Sequence, residues 1–491
     1  MTQEYEGSVV IYTIEGCPHC KAAKSTLSEI EIPFKEILLN EYSSDLRKWL
    51  KDRTKKSSVP QIFFNEKYIG GNVELQELVK DENKWSELIK GIKENPTPIH
   101  GEMALYIPSP DSKIPLDIQE GLHEFSCEPD EYASLVEELK ESGIMGSHKK
   151  GGLFSENVKH SVTGEQIMTW LKNAKGFSQD KGLKIGGELL SRKFMLKVNH
   201  EDDTNFEEDS HSLYRVQVGA DTNFPLNGGE ISTCVQRSAE IVAEEMRKII
   251  LALYSEHIST NGSTVDYLGI KASKNFIVFK KLAVELQRIN IHNLTKNQKL
   301  AFFINIYNAL VIHGNIERGI PTNTWQRYKF FSTTGYNIGG HFFSLNDIEN
   351  GVLRANRGSA ATLFLIPFSS KYDPRLSSVL DEVEPRIHFA LNCGARSCPP
   401  IKTFTSTNIE EELQSATESF LEDENALRVD GLEIHISMLM KWYQIDFGKD
   451  RNEMLQWIER NSSNKDLSKL LVRGDYKVRY NHYDWGNNAK K

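Results

Sequence analysis

The sequence predicts a multidomain chain: a small α/β domain, then an α+β domain with mostly helical pattern, then a larger mixed α+β domain. Three observations predict it. The 491 residues exceed what one hydrophobic core organises, since single domains mostly run to roughly 100–200 residues. Strand-like and helix-like patterns alternate over residues 8–92 and give way to a helical pattern from about Asp130. Two turn-rich stretches, Asn95-Pro96-Thr97-Pro98 and Asn223 to Gly229, punctuate the chain. The expected boundaries are 6–94 for the first domain, 95–129 and 221–229 for linkers, 130–220 for the second domain and 230–480 for the third, with its core at about 260–430.

In the first domain Val9-Val10-Ile11-Tyr12 reads as a strand, Pro18 to about Ile30 as a helix, Phe34 to Leu39 as a strand and Ser44 to Lys55 as a charged helix. Gln61-Ile62-Phe63-Phe64, a Gly70-Gly71 turn and helices over Val73 to Val79 and Trp85 to Lys93 complete a βαβαββα order. In the second, Leu135 to Ser142 and Lys181 to Ser191 read as helices, with short strands at Phe194 to Val198 and Leu213 to Val216 and an acidic loop from Glu201 to Asp209 between them. The third opens with a long amphipathic helix from Glu230 to about Leu253, and its last residues, Asn487 to Lys491, read as frayed.

Hydrophobic residues at 39%, charged residues at 26% and a net charge of −9 describe an ordinary globular protein without the basic excess of a nucleic-acid binder, so no nucleic-acid partner is expected. The longest apolar run, Ala301 to Gly314, falls short of the roughly 20 residues that span a bilayer. Asn305, Asn308 and His313 interrupt it, and it reads as a buried helix. The acidic start, Met-Thr-Gln-Glu-Tyr-Glu-Gly, lacks the basic and apolar regions of a secretory leader, so a cytoplasmic location is expected. Six cysteines are too sparse for a disulfide framework and suggest catalytic, metal-binding or incidental thiols.

Chemistry concentrates at Cys17-Pro18-His19-Cys20. A thiol is a nucleophile as its thiolate, and a helix N-terminus behind a buried strand favours that form. Cys17 is placed there, and Pro18 suits a first helical turn because its missing N–H would be unpaired anyway. Cys20, one turn on, is positioned to attack a mixed disulfide on Cys17 and release the reduced substrate. Half a zinc site is the competing reading, but His19 is the only histidine over residues 1–95 and no third cysteine lies there, so no metal is expected.

Cys17-Pro18-His19-Cys20 with Lys21-Ala22-Ala23-Lys24, then Ser58-Val59-Pro60, then Gly70-Gly71 before a helix, resembles glutaredoxin, which implies a thioredoxin-like fold. The resemblance implies glutathione or another thiol reductant as electron donor and protein disulfides or glutathione mixed disulfides as substrates. It makes Pro60 a cis proline facing the thiols, pairs the Val59 backbone with a glutathione or peptide strand, and sets Gly71 and Asn72 near the γ-glutamyl end of glutathione. Two departures remove charges the family uses to hold glutathione: Ile14 replaces a cation three residues before Cys17, and Asn72-Val73 replaces a pair ending in Asp. His19 between the cysteines resembles the Pro-His pair of periplasmic thiol oxidants and favours the reduced, thiolate form. A cytoplasmic setting argues against a net oxidase.

In the second domain, Thr163-Gly164-Glu165 to Trp170-Leu171 and Tyr214-Arg215 resemble the DEP domain, a winged-helix-like module of signalling proteins. The resemblance implies docking on a membrane surface or a signalling protein, with Lys149, Lys150, Lys159 and His160 as a basic arm; a solvated loop with a few lysines is the alternative. The implied location is cytoplasmic, or peripheral at a membrane.

In the third domain, Asn305 and Asn308 fall on one side of the buried helix and demand hydrogen-bond partners. Gly339-Gly340-His341-Phe342-Phe343 precedes a helix at Asp347, and Arg386 to Pro400 reads as a strand that sets Ile387, Phe389 and Leu391 against His388, Ala390 and Asn392, then breaks at Cys393-Gly394. These blocks resemble domain of unknown function family 547, which implies no reaction. Three readings stay open: a Cys/His hydrolase or transferase with Cys393 or Cys398 as nucleophile and His388, His341 or His313 as base; a redox-sensitive or metal-binding Cys393/Cys398 pair; and a structural or partner-binding domain. A linker that lets the first domain reach the third raises their effective concentration to about millimolar, which suggests that Cys17 reduces or deglutathionylates Cys393/Cys398 or a substrate beside them. The competing class for the whole chain is a non-catalytic signalling scaffold with a redox sensor.

Overall fold

The computed structural model describes residues 9–42, 44–94, 108, 127–150, 156–198, 203–218, 225–260, 264–358, 365–399, 401–402 and 404–490. Most of the 95–129 linker and the first part of the 221–229 linker lie outside them.

The first unit runs β1 (Val9–Thr13), α1 (Pro18–Glu29), β2 (Lys35–Leu38), α2 (Ser44–Thr54), β3 (Gln61–Phe64), β4 (Lys67–Gly70), α3 (Asn72–Lys80) and α4 (Glu82–Glu94). Its sheet is ordered β2-β1-β3-β4, with β1 parallel to β2 and antiparallel to β3. This is the order expected of a thioredoxin-like domain. β1 is buried on both faces: Val10 and Tyr12 pack with Leu46, Leu50 and Phe63 on one side, and Val9 and Ile11 with Ala23, Leu27 and Leu75 on the other. A strand covered by helices on both faces reads as a continuous apolar run.

The second unit is α5 (Ala133–Glu141), an antiparallel pair β5 (Gly146–Lys150) and β6 (Glu156–Thr163), then α6 (Gly164–Lys175), α7 (Gln179–Ser191), β7 (Met195–Lys197) and β8 (Leu213–Val216). The sheet order is β5-β6-β8-β7. Lys149 lies on β5 and Lys159 and His160 on β6. Thr163 and Gln166 form a capping box at α6, which explains why the Thr-Gly-Glu-Gln segment starts a helix.

The third unit is built on α8 (Ala239–His257), α9 (Tyr267–Ala272), α10 (Lys274–Glu285) and α11 (Lys296–Arg318), followed by α12 (Thr324–Thr333), the hairpin β9 (Gly335–Ile338) and β10 (His341–Ser344), and a π-helical segment Asp347–Leu353. Then come α13 (Ile409–Leu421), β11 (Leu427–Asp430), β12 (Glu433–Ile436), α14 (Met438–Trp442), α15 (Gln444–Phe447), α16 (Arg451–Asn461), α17 (Lys465–Arg473) and β13 (Lys477–Tyr480). The centre is α11, buried without interruption from Leu300 to Ile316. A helix apolar all round belongs in the middle of a large core.

Four sequence expectations are corrected. The helix expected from Glu230 begins at Ala239, because Ser238 caps it by accepting from Ile241 N–H while Cys234 bridges back to Pro129. Cys234 is moreover disulfide-bonded to Cys127, so two of the six cysteines are a structural staple rather than catalytic, metal-binding or incidental. Arg386 to Asn392 is not a strand: Pro385 starts a 3₁₀ turn through Phe389, capped by Glu384, and His388 is buried along with Ile387 and Phe389. The C-terminal tail is tied down. Val265 N–H donates to Asn488 O and Lys490 N–H donates to Val265 O, and Asn488 accepts from the Tyr267 hydroxyl at 3.0 Å.

The second and third units share a buried joint. Arg288 donates to Asp130 at 2.9 Å and to the carbonyls of Ser232, Cys234 and Arg192, and its guanidinium lies 3.4 Å from the Phe194 ring centre. A buried cation needs such complete pairing.

Candidate active site

The chain leaves β1 through Gly16, whose φ of +71° suits a residue without a Cβ, and Cys17 caps α1. Its Sγ accepts from Cys20 N–H at 3.1 Å, so the sulfur sits on the positive end of the helix with a donor already aimed at it. Cys17 and Cys20 are joined as a disulfide. Pro18 occupies the first helical turn, His19 is exposed and the Val59–Pro60 bond is cis. At the start of α3 Gly71 N–H donates to Glu74 at 2.8 Å, and Asn72 presents a buried Oδ1 with no hydrogen-bond partner.

This thiol face is docked on the third unit. Lys21, one turn beyond Cys17, donates to the carbonyls of Ser255 at 2.9 Å and Ile258 at 2.5 Å, placing a cation on the negative end of α8. The segment leading to Pro60 is held from the other side. Glu422 takes Ser57 N–H at 2.8 Å and Ser58 N–H at 3.1 Å, one on each oxygen, and Glu418 accepts from the Ser57 hydroxyl and from Lys51. Cys17 is left 6% exposed. A cavity of about 870 Å³ runs between the units, bordered by Ile14, Val59, Arg47, Arg247, Lys402 and Glu412. Burial, and then Arg47 nearby, push the Lys402 ammonium down to about 7; burial pushes the Glu412 carboxyl up to about 7.

A second cluster lies in the third unit. The Cys393 and Cys398 sulfurs are hydrogen-bonded at 2.8 Å and not joined by a disulfide. Cys393 N–H donates to Cys398 Sγ at 3.2 Å and the Tyr483 hydroxyl lies 3.3 Å from the same sulfur. Burial alone would raise the Cys398 thiol; the bonds from Cys393 and Tyr483 outweigh it and bring it down to about 7. Cys393, bonded to Cys398 and then buried, is pushed well up. The loop is held from beneath: Asn392 N–H donates to Asn308 Oδ1 at 2.9 Å, Asn308 donates to Ala390 O at 3.0 Å, and Asn305 donates to Phe404 O at 2.7 Å. Those two amides therefore serve as clamps on the segments that cross α11. From above, Arg396 N–H donates to Gly486 O and Asp484 N–H to Ser397 Oγ.

The histidines named from the sequence are scattered. His388 bonds Asp446 at 2.8 Å and stacks on Tyr443. Asp446 is also held by Arg354 at 2.5 and 3.0 Å; burial would raise it, but the bonds from His388 and Arg354 hold its carboxyl well below the usual range. Asp446 is then acceptor only, so His388 donates through Nε2, while burial shifts the ring downward. His313 is sealed between Phe276 and Phe279 and bonds the Tyr336 hydroxyl. His341 sits on the β9–β10 hairpin. None of the three hydrogen-bonds Cys393 or Cys398, whose partners are each other, backbone N–H groups and Tyr483. The nucleophile–base pairing that a Cys/His hydrolase requires is therefore not formed by these residues.

Comparison with known proteins divides along the same lines. The glutaredoxin family profile matches residues 9–69. Glutaredoxin-2 of Schizosaccharomyces pombe is 39% identical over 93 residues, 18% of this chain and 84% of its own length. The chain belongs to the glutaredoxin family. Glutaredoxin 3 of Escherichia coli is 38% identical over 64 residues, 13% of this chain and 76% of its own, and a solved glutaredoxin from Brucella melitensis aligns at 30% identity over 19% of this chain and 99% of its own, with a TM-score of 0.17. Residues 291–421 match the protein family of unknown function DUF547.

Membership rests on the N-terminal glutaredoxin domain, which supports thiol–disulfide oxidoreductase chemistry there. Among the described residues no group of three or more His, Cys, Asp or Glu side chains is arranged to hold a metal. The glutaredoxin domain carries the motif residues at one end of its sheet, while Glu418, Glu422 and Lys402, which border the same face, come from a distant part of the chain. So does Tyr483. The alternation of Trp442, Tyr483 and Trp485 in one aromatic cluster was the available hint, carried by the Tyr-Asp-Trp triplet in a segment read as leading into a loose tail.

Proposed function

We propose that the chain is a dithiol glutaredoxin that reduces protein disulfides or glutathione mixed disulfides with glutathione as reductant, working from a thiol face docked on its own C-terminal domain. The observation that carries this is Cys17 at the N-terminus of α1 with Cys20 N–H donated to its sulfur. Cys17 attacks the substrate disulfide, Cys20 attacks the resulting mixed disulfide, and two glutathione molecules return the pair to the dithiol. The residues fit the tripeptide. Asn72 Oδ1, buried and unpartnered, is an acceptor for the γ-glutamyl ammonium. The charge missing at Ile14 is replaced in the interdomain cavity by Arg47 of α2 and, from the third unit, by Lys402, and a carboxylate entering there would restore the Lys402 charge. The cavity volume lies within the roughly 300–1,000 Å³ of small-ligand sites.

The test is turnover of the full chain on a glutathionylated peptide and on a protein disulfide, coupled to glutathione recycling. Cys17→Ser abolishes both activities. Cys20→Ser keeps the first and loses the second, and Lys402→Ala raises the KM for glutathione. A full chain whose Cys17–Cys20 bond yields to dithiothreitol but not to glutathione removes glutathione as the donor.

We read the second unit as a docking module of the DEP type in redox-linked signalling at the cytoplasmic face of a membrane. Its order of helix, β5–β6 arm, two helices and terminal strands supports the reading, as do Lys149, Lys159 and His160 on that arm; Lys150 shares the strand. Sedimentation with vesicles containing anionic lipid, lost in Lys149→Glu/Lys159→Glu, supports it; equal sedimentation with neutral vesicles counts against it.

A further inference from the structure

We propose that Cys393 and Cys398 form a second thiol–disulfide exchange centre in the C-terminal domain, one that reacts with a low-molecular-weight disulfide, with Cys398 as attacking thiol and Cys393 as resolving thiol.

The other readings of this pair lose their support. A metal site needs further ligands, and no such grouping exists among the described residues. A hydrolase needs a base on the thiol, and no histidine among the described residues bonds either sulfur. A packed, inert pair would be sealed, whereas both residues keep partial exposure. What remains is a dithiol whose sulfurs, 2.8 Å apart, need only close to the roughly 2.03–2.05 Å of a disulfide. The clamps on Asn392 and Asn308 hold the loop at that spacing.

The two thiols are unequal. Cys398 accepts from Cys393 N–H and has the Tyr483 hydroxyl and the Cys393 thiol within hydrogen-bond reach, an arrangement that stabilises a thiolate. It repeats the N–H to sulfur bond at Cys17. Cys393 keeps its proton until exchange begins. The Cys398 thiolate attacks one sulfur of glutathione disulfide and expels one glutathione thiolate, leaving a mixed disulfide. Cys393, giving up its proton, attacks Cys398 and expels the second glutathione. The protein dithiol loses two electrons and two protons, and one glutathione disulfide becomes two glutathiones.

The site also has a physical link to the first thiol face. Tyr254 on α8 lies close enough to feel Cys398, while Ser255 of the same helix and Ile258, the residue that caps it, accept from Lys21. Both dithiols therefore border one helix end.

The experiment uses the full chain with Cys17→Ser/Cys20→Ser, so that failure of the glutaredoxin domain cannot be mistaken for failure here. Incubation with glutathione disulfide, quenching with N-ethylmaleimide and peptide mapping should find a Cys393–Cys398 disulfide. Adding Cys393→Ser should trap glutathione on Cys398, at a rate that rises with pH about a midpoint near 7. Tyr483→Phe should slow that trapping several-fold at neutral pH, with recovery at alkaline pH, since Tyr483 positions rather than reacts. The proposal is overturned if both thiols stay fully alkylatable in glutathione disulfide, or if Cys398→Ser traps glutathione on Cys393 as fast as Cys393→Ser does on Cys398.

Discussion

Glu422→Gln should unlock Cys17. Glu422 holds two successive backbone N–H groups, one on each oxygen, ahead of Pro60, and Gln keeps nearly the same shape while losing the charge and replacing one acceptor by a donor. Hydrogen bonds to charged groups are worth about 1.5–3 kcal/mol. Losing one of the two, at a half-buried site, should cost about 2 kcal/mol, which shifts the docking equilibrium about 30-fold. Cys17 is only 6% exposed when docked, so a reagent reaches it through the undocked population, and its rate scales with that population. The assay is alkylation of the reduced full chain by iodoacetamide, with Cys17 followed by peptide mass. Glu422→Gln should react about 30-fold faster, and added salt should speed both proteins by screening Lys51–Glu418, whose lysine is half exposed. Equal rates in the two proteins, with an unchanged thermal transition, would refute the docking argument.

Two predictions concern stability. His313 is held neutral, its pKa brought down to about 3 by burial, whereas the unfolded ring titrates near 6.5. The unfolded chain therefore takes up a proton that the folded one refuses, and stability falls as pH drops from about 6.5 toward 3, by about 2 kcal/mol at pH 5. Urea unfolding of His313→Gln at pH 7 and pH 5 should show a smaller difference than the wild type; an unchanged difference would mean that another group carries the acid dependence. Asp446 is depressed instead, so its contribution is full above about pH 4 and is lost as pH falls through its folded value. Asp446→Asn, which strands the buried Arg354, should cost about 3–5 kcal/mol in denaturant unfolding at pH 7.

Local patterns were legible and long-range pairings were not. Cys17 to Cys20, the strand before them and the helix after them lie in one short stretch, so motif and context could be read together. The buried helix over Ala301 to Gly314 was equally plain because its run is apolar apart from Asn305, Asn308 and His313. Arg386 to Asn392 misled because alternation of Ile387, Phe389 and Leu391 imitates a strand; what decides the conformation is Pro385 with the Glu384 cap and a histidine whose buried partner, Asp446, lies beyond Glu433. The start of α8 was misplaced for a similar reason, since Cys234 is committed to Cys127. Asn305 and Asn308 announced buried polar partners, but not that those partners are the carbonyls of Phe404 and Ala390. Tyr483, Glu418 and Glu422 carry no local mark at all, because their roles exist only once distant segments meet.

The Cys127–Cys234 bond joins residues 107 apart in sequence, with the whole second unit between them. Covalently, then, the chain is not three beads on a string. It is a main line from the glutaredoxin domain into α8, with the second unit as a side loop closed at its neck. Tension applied between the two chain ends runs through the sulfur bridge and bypasses that loop, and a protease that nicks the loop leaves the outer units on one molecule. Opening the bridge would turn the side loop into a load-bearing part of the line, so the redox state of this one bond decides which domains feel a pull.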